Sequence, residues 1–175
     1  MVRALLLAVC LLPLSLWAQD FPIDRASGKI IYTEEVPVKD GPKTDLYNRA
    51  RAWWLTAHKG SQTLQVDDPA NGLLMGNTFS LIVVWEKSQR HTYKLWHTIK
   101  IEVEDDRFWY RISDIQLQRT ASKGVLTPKE ALESFVLPGT AAGKKGYPNP
   151  GHPALMVQVH KGITALIEDM KKNMF

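Results

Sequence analysis

Ser80, His97 and Asp114 are the residues of this sequence whose types could do nucleophilic chemistry together. A serine activated by a histidine that an aspartate orients is the arrangement for acyl transfer. That chemistry also needs an exposed serine, an oxyanion hole and a substrate cleft. No Gly-x-Ser-x-Gly turn surrounds Ser80, which sits between Phe79 and Leu81. The competing reading is a polar row whose members satisfy one another at the rim of a core. The five histidines, His58, His91, His97, His152 and His160, show no metal-ligand spacing. Glu102, Glu104, Asp105 and Asp106 read as a hairpin tip, and Asp67, Asp68 and Asn71 as a turn; neither follows a calcium-loop pattern. Lys144-Lys145 and Lys171-Lys172 read as solvated charge. No cofactor motif stands in the chain.

Strand pairing is what would bring such a row together. Asp105-Asp106 is a natural two-residue hairpin loop between strands over 91–103 and 107–117. It sets Val103 opposite Phe108, Ile101 opposite Tyr110 and Ile99 opposite Ile112, all apolar and all on one face. The next pair on that face is His97 with Asp114. A preceding loop from Lys87 to Arg90 sets Val84 opposite Tyr93, Ile82 opposite Leu95 and Ser80 opposite His97. The other face then collects Phe79, Leu81, Val83 and Trp85 from strand 73–86. It adds Trp96, Thr98 and Lys100 from the next strand, and Trp109, Arg111, Ser113, Ile115 and Leu117 from the last. An open sheet face is usually polar. This one is aromatic with two cations, so either residues 119–151 cover it or it takes a partner protein, a second copy or an apolar ligand. Trp96, Trp109, Trp85, Phe79, Lys100 and Arg111 are the candidate binding residues.

The remaining elements follow from periodicity and breakers. Residues 29–38 read as a first strand, with Pro37 suggesting a sheet edge. Thr44 can cap a helix from Asp45 to about Lys59, with Leu46, Ala50, Trp53, Trp54 and Ala57 at helical spacing and Gly60 ending it. A short strand over 63–66 comes next. Residues 119–151 are irregular, with one short helix signalled by Thr127-Pro128-Lys129-Glu130. A helix from Pro153 to about Asn173 aligns Met156, Val159, Ile163, Leu166, Ile167, Met170 and Met174 in one stripe. The expected architecture is α+β: a curved antiparallel sheet with helices on one face, in the order β-α-β-β-β-β-α.

Several pieces together resemble a known family. They are Phe21-Pro22-Ile23-Asp24, then Gly28-Lys29-Ile30-Ile31-Tyr32, then Asp45-Leu46-Tyr47-Asn48-Arg49-Ala50 with Trp53 after it. An Asp-rich turn with Gly72 and Gly76 and an antiparallel pair ending in a short acidic turn complete the set. Over roughly residues 20–118 the chain resembles the exported bacterial family of unknown function DUF4468, described as having a TBP-like fold. The resemblance implies a fold and an envelope location, and no activity.

Compartment is read from the N-terminus. Arg3 is the only charged residue before Asp20, and an apolar run from Ala4 to Leu16 follows it. This is the pattern of a cleavable secretory signal peptide over residues 1–18, with cleavage after Ala18. A lipid anchor on Cys10 and an uncleaved anchor are the alternatives. The apolar run is too short for the ~20 residues of a spanning helix, and no later stretch is apolar enough to span. Residues 19–175 are then one domain's worth of chain. Cys10 is the only cysteine, so the processed chain can hold no disulfide. The formal net charge is +4, mild enough to argue for solubility rather than nucleic-acid binding. Three classes of function fit: a non-catalytic envelope module that binds a partner protein or apolar ligand, a hydrolase using Ser80, His97 and Asp114, and a structural accessory domain. Mass spectrometry of the protein from its native cells is expected to find Gln19 as its first residue. Retention of Met1, or a lipid on Cys10, would overturn the export reading.

Overall fold

The computed structural model describes residues 21–58, 64–86, 88–120, 124–136 and 153–175. The expected leader, Gly60, His152 and Lys144-Lys145 lie outside the described residues. The elements are β1 (Tyr32–Pro37), α1 (Lys43–Ala57), β2 (Leu64–Asp68), β3 (Leu73–Glu86), β4 (Gln89–Glu104), β5 (Arg107–Arg119), β6 (Glu130–Ala131), α2 (Glu133–Val136) and α3 (Pro153–Met174). The α+β reading holds. The sheet runs β1-β5-β4-β3-β2, with β6 also on β5, and every pairing is antiparallel. One edge of β5 is shared. β1 pairs with it from Arg107 to Ile112, and β6 takes over at Gln116 and Leu117.

The helices bury their stripes on one sheet face. α1 contributes Leu46, Tyr47, Ala50, Trp53 and Trp54, while Ala57, expected in the stripe, is exposed. α3 contributes Leu155, Met156, Val159, Ile163, Ile167, Met170 and Met174, with Leu166 half-buried. They meet Ile82, Val84, Leu95, Ile99, Ile101, Phe108 and Ile112 in one core. Full burial of each such side chain is worth about 1.5–3 kcal/mol. The Trp53 indole N–H donates to Asp169 Oδ2 at 2.8 Å and ties the two helices together.

The acidic hairpin tip has a structural role. α1 starts at Lys43, two residues before the expected start, and Thr44 does not cap it. Pro42 occupies the N-cap position and offers no side-chain acceptor. The acceptors come from the β4–β5 tip instead. The Lys43 amide donates to Asp105 Oδ1 at 2.7 Å and the Gly41 amide to Asp106 Oδ1 at 3.1 Å. A carboxylate there satisfies orphan amides and faces the positive end of the helix dipole. Backbone bonds from Val38 to Asp106 and from Asp106 to Gly41 lock the same corner.

Two register differences matter for function. The β3–β4 turn has two residues between Glu86 and Gln89, not four, and Ser88 takes φ 65° in it. All of β3 therefore slides by two positions along β4. Facing is unchanged, but Ser80 lies opposite Leu95, and Thr78 opposite His97. Between β4 and β5 a bulge intervenes: Thr98 pairs with Ser113 and Trp96 with Gln116, so Asp114 and Ile115 together oppose His97. Asp114 adopts φ 51° there. Beyond the bulge the facing of β5 is inverted. Ile115 and Leu117, expected on the outer face, are fully buried. The helix expected from Thr127 is also corrected. The Thr127 hydroxyl accepts the Arg119 amide, its own amide donates to the Arg119 carbonyl, and the chain stays extended into β6.

Gly72 and Gly28 give a paired test of backbone constraint. Both have positive φ, +70° and +67°. A Cβ on Gly72 would meet the Val103 carbonyl oxygen at 2.5 Å, whereas one on Gly28 would meet nothing within 4 Å. Gly28→Ala is expected to cost roughly 1–2 kcal/mol, the left-handed backbone penalty alone. Gly72→Ala should cost clearly more in denaturant unfolding. Equal losses would mean that the close approach of β3 to Val103 contributes nothing.

Candidate functional site

The Ser-His-Asp row does not assemble. Asp114 lies on the solvent side of the bulge, where it accepts from Lys29 Nζ at 2.9 Å. Ser80 is opposite Leu95 rather than His97. His97 is fully buried beneath the helices. Its Nδ1 lies 3.0 Å from the Leu95 carbonyl oxygen, which fixes Nδ1 as the donor and leaves Nε2 without a partner. Burial lowers its pKa to about 4, so the ring is neutral at physiological pH.

A second, half-buried imidazole lies near it. His58, at the C-terminal end of α1, has Nδ1 at 3.2 Å from the Thr78 hydroxyl, and Thr78 is the cross-strand partner of His97. The His58 ring packs against Trp54 at 4.9 Å and Trp53 at 5.5 Å. Its Nε2 is also unpartnered, and burial lowers its pKa. The two imidazoles are polar groups set among aromatic and aliphatic side chains. The other described histidines have packing roles: His160 meets Phe21 edge-on and lies 3.1 Å from the Tyr32 hydroxyl, and His91 Nδ1 lies 2.9 Å from Arg119. Among the described residues no group of three or more His, Cys, Asp or Glu could hold a metal ion. The Asp67-Asp68 turn is occupied internally. Asp67 accepts from the Tyr47 hydroxyl and from Arg51, and Asp68 accepts from Asn71.

The outer sheet face carries the candidate binding residues, and the structure places all six of them there. Trp96 and Trp109 stand on neighbouring strands opposite the helices, as the β4–β5 turn predicts. The face divides into two halves. Around Trp109 the charges are balanced: its indole N–H donates to Glu35 at 3.0 Å, and the Arg107 guanidinium lies 4.7 Å over its ring. Arg107 also pairs with Glu104 at 2.6 Å, and Lys100 with Glu102 at 2.9 Å. Arg111 lines a shallow hollow with Pro22, Ile23, Asp24, Ile31 and Thr33.

The half around Trp96 is apolar and cationic. Phe79 stacks against Trp96 at 4.8 Å, Lys94 Nζ lies 4.4 Å over Phe79, and Lys129 Nζ lies 3.5 Å over Trp96. Phe79, Leu81 and Trp85 remain 39 %, 64 % and 67 % exposed. The described part of 119–151 leaves them bare. Leu132 and Phe135 plug the core instead, and Lys129 reaches over Trp96. Lys94 and Lys129 were not singled out by sequence reasoning. Lys94 was legible as an outward neighbour of Trp96 on β4, but Lys129 arrives only through the pairing of β6 with β5.

The fold has solved relatives. A TBP-like protein from Parabacteroides distasonis ATCC 8503 superposes with TM-score 0.68 at 14% identity, covering 87% of this chain and 96% of its own. A DUF4468 family protein from Bacteroides ovatus ATCC 8483 gives 0.67 at 14% identity, covering 87% and 90%. No curated protein sequence matches the chain. The family described as a domain of unknown function (DUF4468) with TBP-like fold matches residues 32–118, the stretch from β1 through the bulged strand β5. Over those residues this chain matches the DUF4468 family, and its fold is TBP-like.

Proposed function

We propose that this protein is an exported envelope module without catalytic activity, which binds through the outer face of its sheet. The observation that carries the reading is the bare cluster of Phe79, Leu81 and Trp85 beside Trp96, on a face opposite the helices. Large apolar side chains gathered on one exposed face mark a contact surface. The hydrolase alternative has no supporting geometry: its three residues are separated by register, bulge and burial. Export rests on the apolar leader pattern of residues 1–18.

A photo-crosslinking residue placed at Leu81 should capture an adduct in the cells that make the protein. The same residue at Glu168, on the exposed side of α3, should capture none. Equal capture at both positions, or none at Leu81, would remove the binding-face reading. The non-catalytic role of His97 and His58 makes a separate prediction about pH. The unfolded chain takes up a proton on His97 near pH 6.5, whereas the folded chain resists until about pH 4. Stability present above pH 6.5 is therefore lost as pH falls through that window. The loss is of the order of 3 kcal/mol for His97, and His58 adds to it in the same direction. Denaturant melts from pH 7 to 4 should show this slope, and His97→Leu should flatten it. An unchanged slope in the variant would mean that other groups govern acid unfolding.

A further inference from the structure

We propose that the tip of the β3–β4 hairpin is a membrane-docking element that seats on an anionic lipid surface. This rests on the reading of the outer face as a binding surface and names its occupant. Three independent observations lead to it.

The first is shape. β2 leaves β3 after Gly76, and β5 leaves β4 at Tyr93. The last pairs of the hairpin, Val84 with His91, Trp85 with Arg90 and Glu86 with Gln89, have no strand on either side among the described residues. At about 3.4 Å per residue the overhang is roughly 10 Å long. Val84 on its inner side is buried in the core, so it is the outer side of this length that is free to meet a surface, on the scale of the 5–10 Å to which interfacial elements enter the boundary between headgroups and acyl chains. A projecting tip fits a surface better than it fits an extended peptide, which needs a groove.

The second is side-chain type. The outward positions approaching the tip are Leu81, Val83 and Trp85, and the two most exposed are an aliphatic residue and an indole. Tryptophan is the residue favoured at membrane–water interfaces, because its ring is apolar and its N–H can stay hydrated.

The third is charge. The outward positions of β3 from Phe79 to Trp85, and of β4 from Arg90 to Trp96, contain no acidic residue. Arg90, Lys94 and Lys129 meet no carboxylate among the described residues, and the last two stand over aromatic rings. The acidic residues of this face lie at its other end, around Trp109, where cations already answer them. The end that carries the apolar tip is thus cationic and seeks an anionic partner. A two-fold contact between copies centred on this end would press the same cations together, which favours an anionic surface over a second copy as the occupant. Each Lys or Arg near an anionic leaflet strengthens partition about five-fold.

The test is sedimentation of the full-length chain with vesicles of phosphatidylcholine, with or without phosphatidylglycerol. Any leader is common to all variants, so the readout is the ratio between them. Wild type should partition at least ten-fold more strongly onto the anionic vesicles. Lys94→Glu and Lys129→Glu should each weaken that by about five-fold or more. Leu81→Ser with Trp85→Ser should weaken binding to both kinds of vesicle. Leu81, Trp85 and Lys129 are exposed and Lys94 is half-buried, so thermal melts are compared with wild type; a variant that melts early is replaced by Lys94→Gln or Trp85→Gln. Partition that ignores phosphatidylglycerol, or that all variants share with wild type, overturns the proposal. If the photo-crosslinker at Leu81 captures protein while vesicle partition ignores phosphatidylglycerol, the membrane proposal fails and the binding-face reading stands.

Discussion

The bulge at Asp114 and Ile115 decides the character of both sheet faces. Along β5 the apolar residues fall at Phe108, Tyr110 and Ile112, and then at Ile115 and Leu117. Three positions separate Ile112 from Ile115, and a regular strand would turn the second group into water. Burying Ile115 and Leu117 is worth a few kcal/mol. An extra residue in the left-handed region at Asp114 costs less, since aspartate tolerates that conformation better than most residues. The strand therefore kinks. Asp114 turns outward to Lys29, Gln116 and Gln118 take the outer face, and the edge of β5 passes from β1 to β6 at that point.

The consequences reach the binding surface. With Gln118 outward, its carboxamide oxygen accepts the Trp96 indole N–H at 3.0 Å and its nitrogen donates to the Thr127 carbonyl at 2.9 Å. That bridge holds the start of the β6 segment beside Trp96, which brings Lys129 over the indole. The cationic, aromatic end of the face is thus assembled by the same parity change that dismantles the Ser-His-Asp row. Without the bulge, Ile115 and Leu117 would extend the apolar patch toward Trp109.

Much of this was legible in the residues. The alternation of Ile99, Ile101 and Val103 against Phe108, Tyr110 and Ile112 fixed the β4–β5 register near its turn, and with it the facing of Trp96 and Trp109. The parity shift after Ile112 was visible too, since Gln116 and Gln118 alternate with Ile115 and Leu117, yet it reads as a bulge only when burial is weighed above regularity. The β3–β4 turn was harder. A strand rich in Leu, Val and Trp pairs equally well in either of two registers that preserve facing, so the apolar pattern cannot choose between them. Thr127-Pro128-Lys129-Glu130 has the local chemistry of a helix start, but bonds to Arg119 some eight residues earlier override it. The capping of α1 by Asp105 is a contact between segments sixty residues apart, beyond the reach of local signals.

The central claim is that the half of the outer face around Trp96 is bare in the isolated chain and occupied in the cell. Hydroxyl-radical footprinting compares the two directly. In the purified protein, Phe79, Leu81 and Trp85 should be labelled as their exposure and side-chain reactivity dictate, with Phe175, which is 66 % exposed and belongs to no proposed surface, as the internal reference. In intact cells the labelling of Phe79, Leu81 and Trp85 should fall sharply while that of Phe175 persists. Equal labelling of the cluster in both settings would contradict the account.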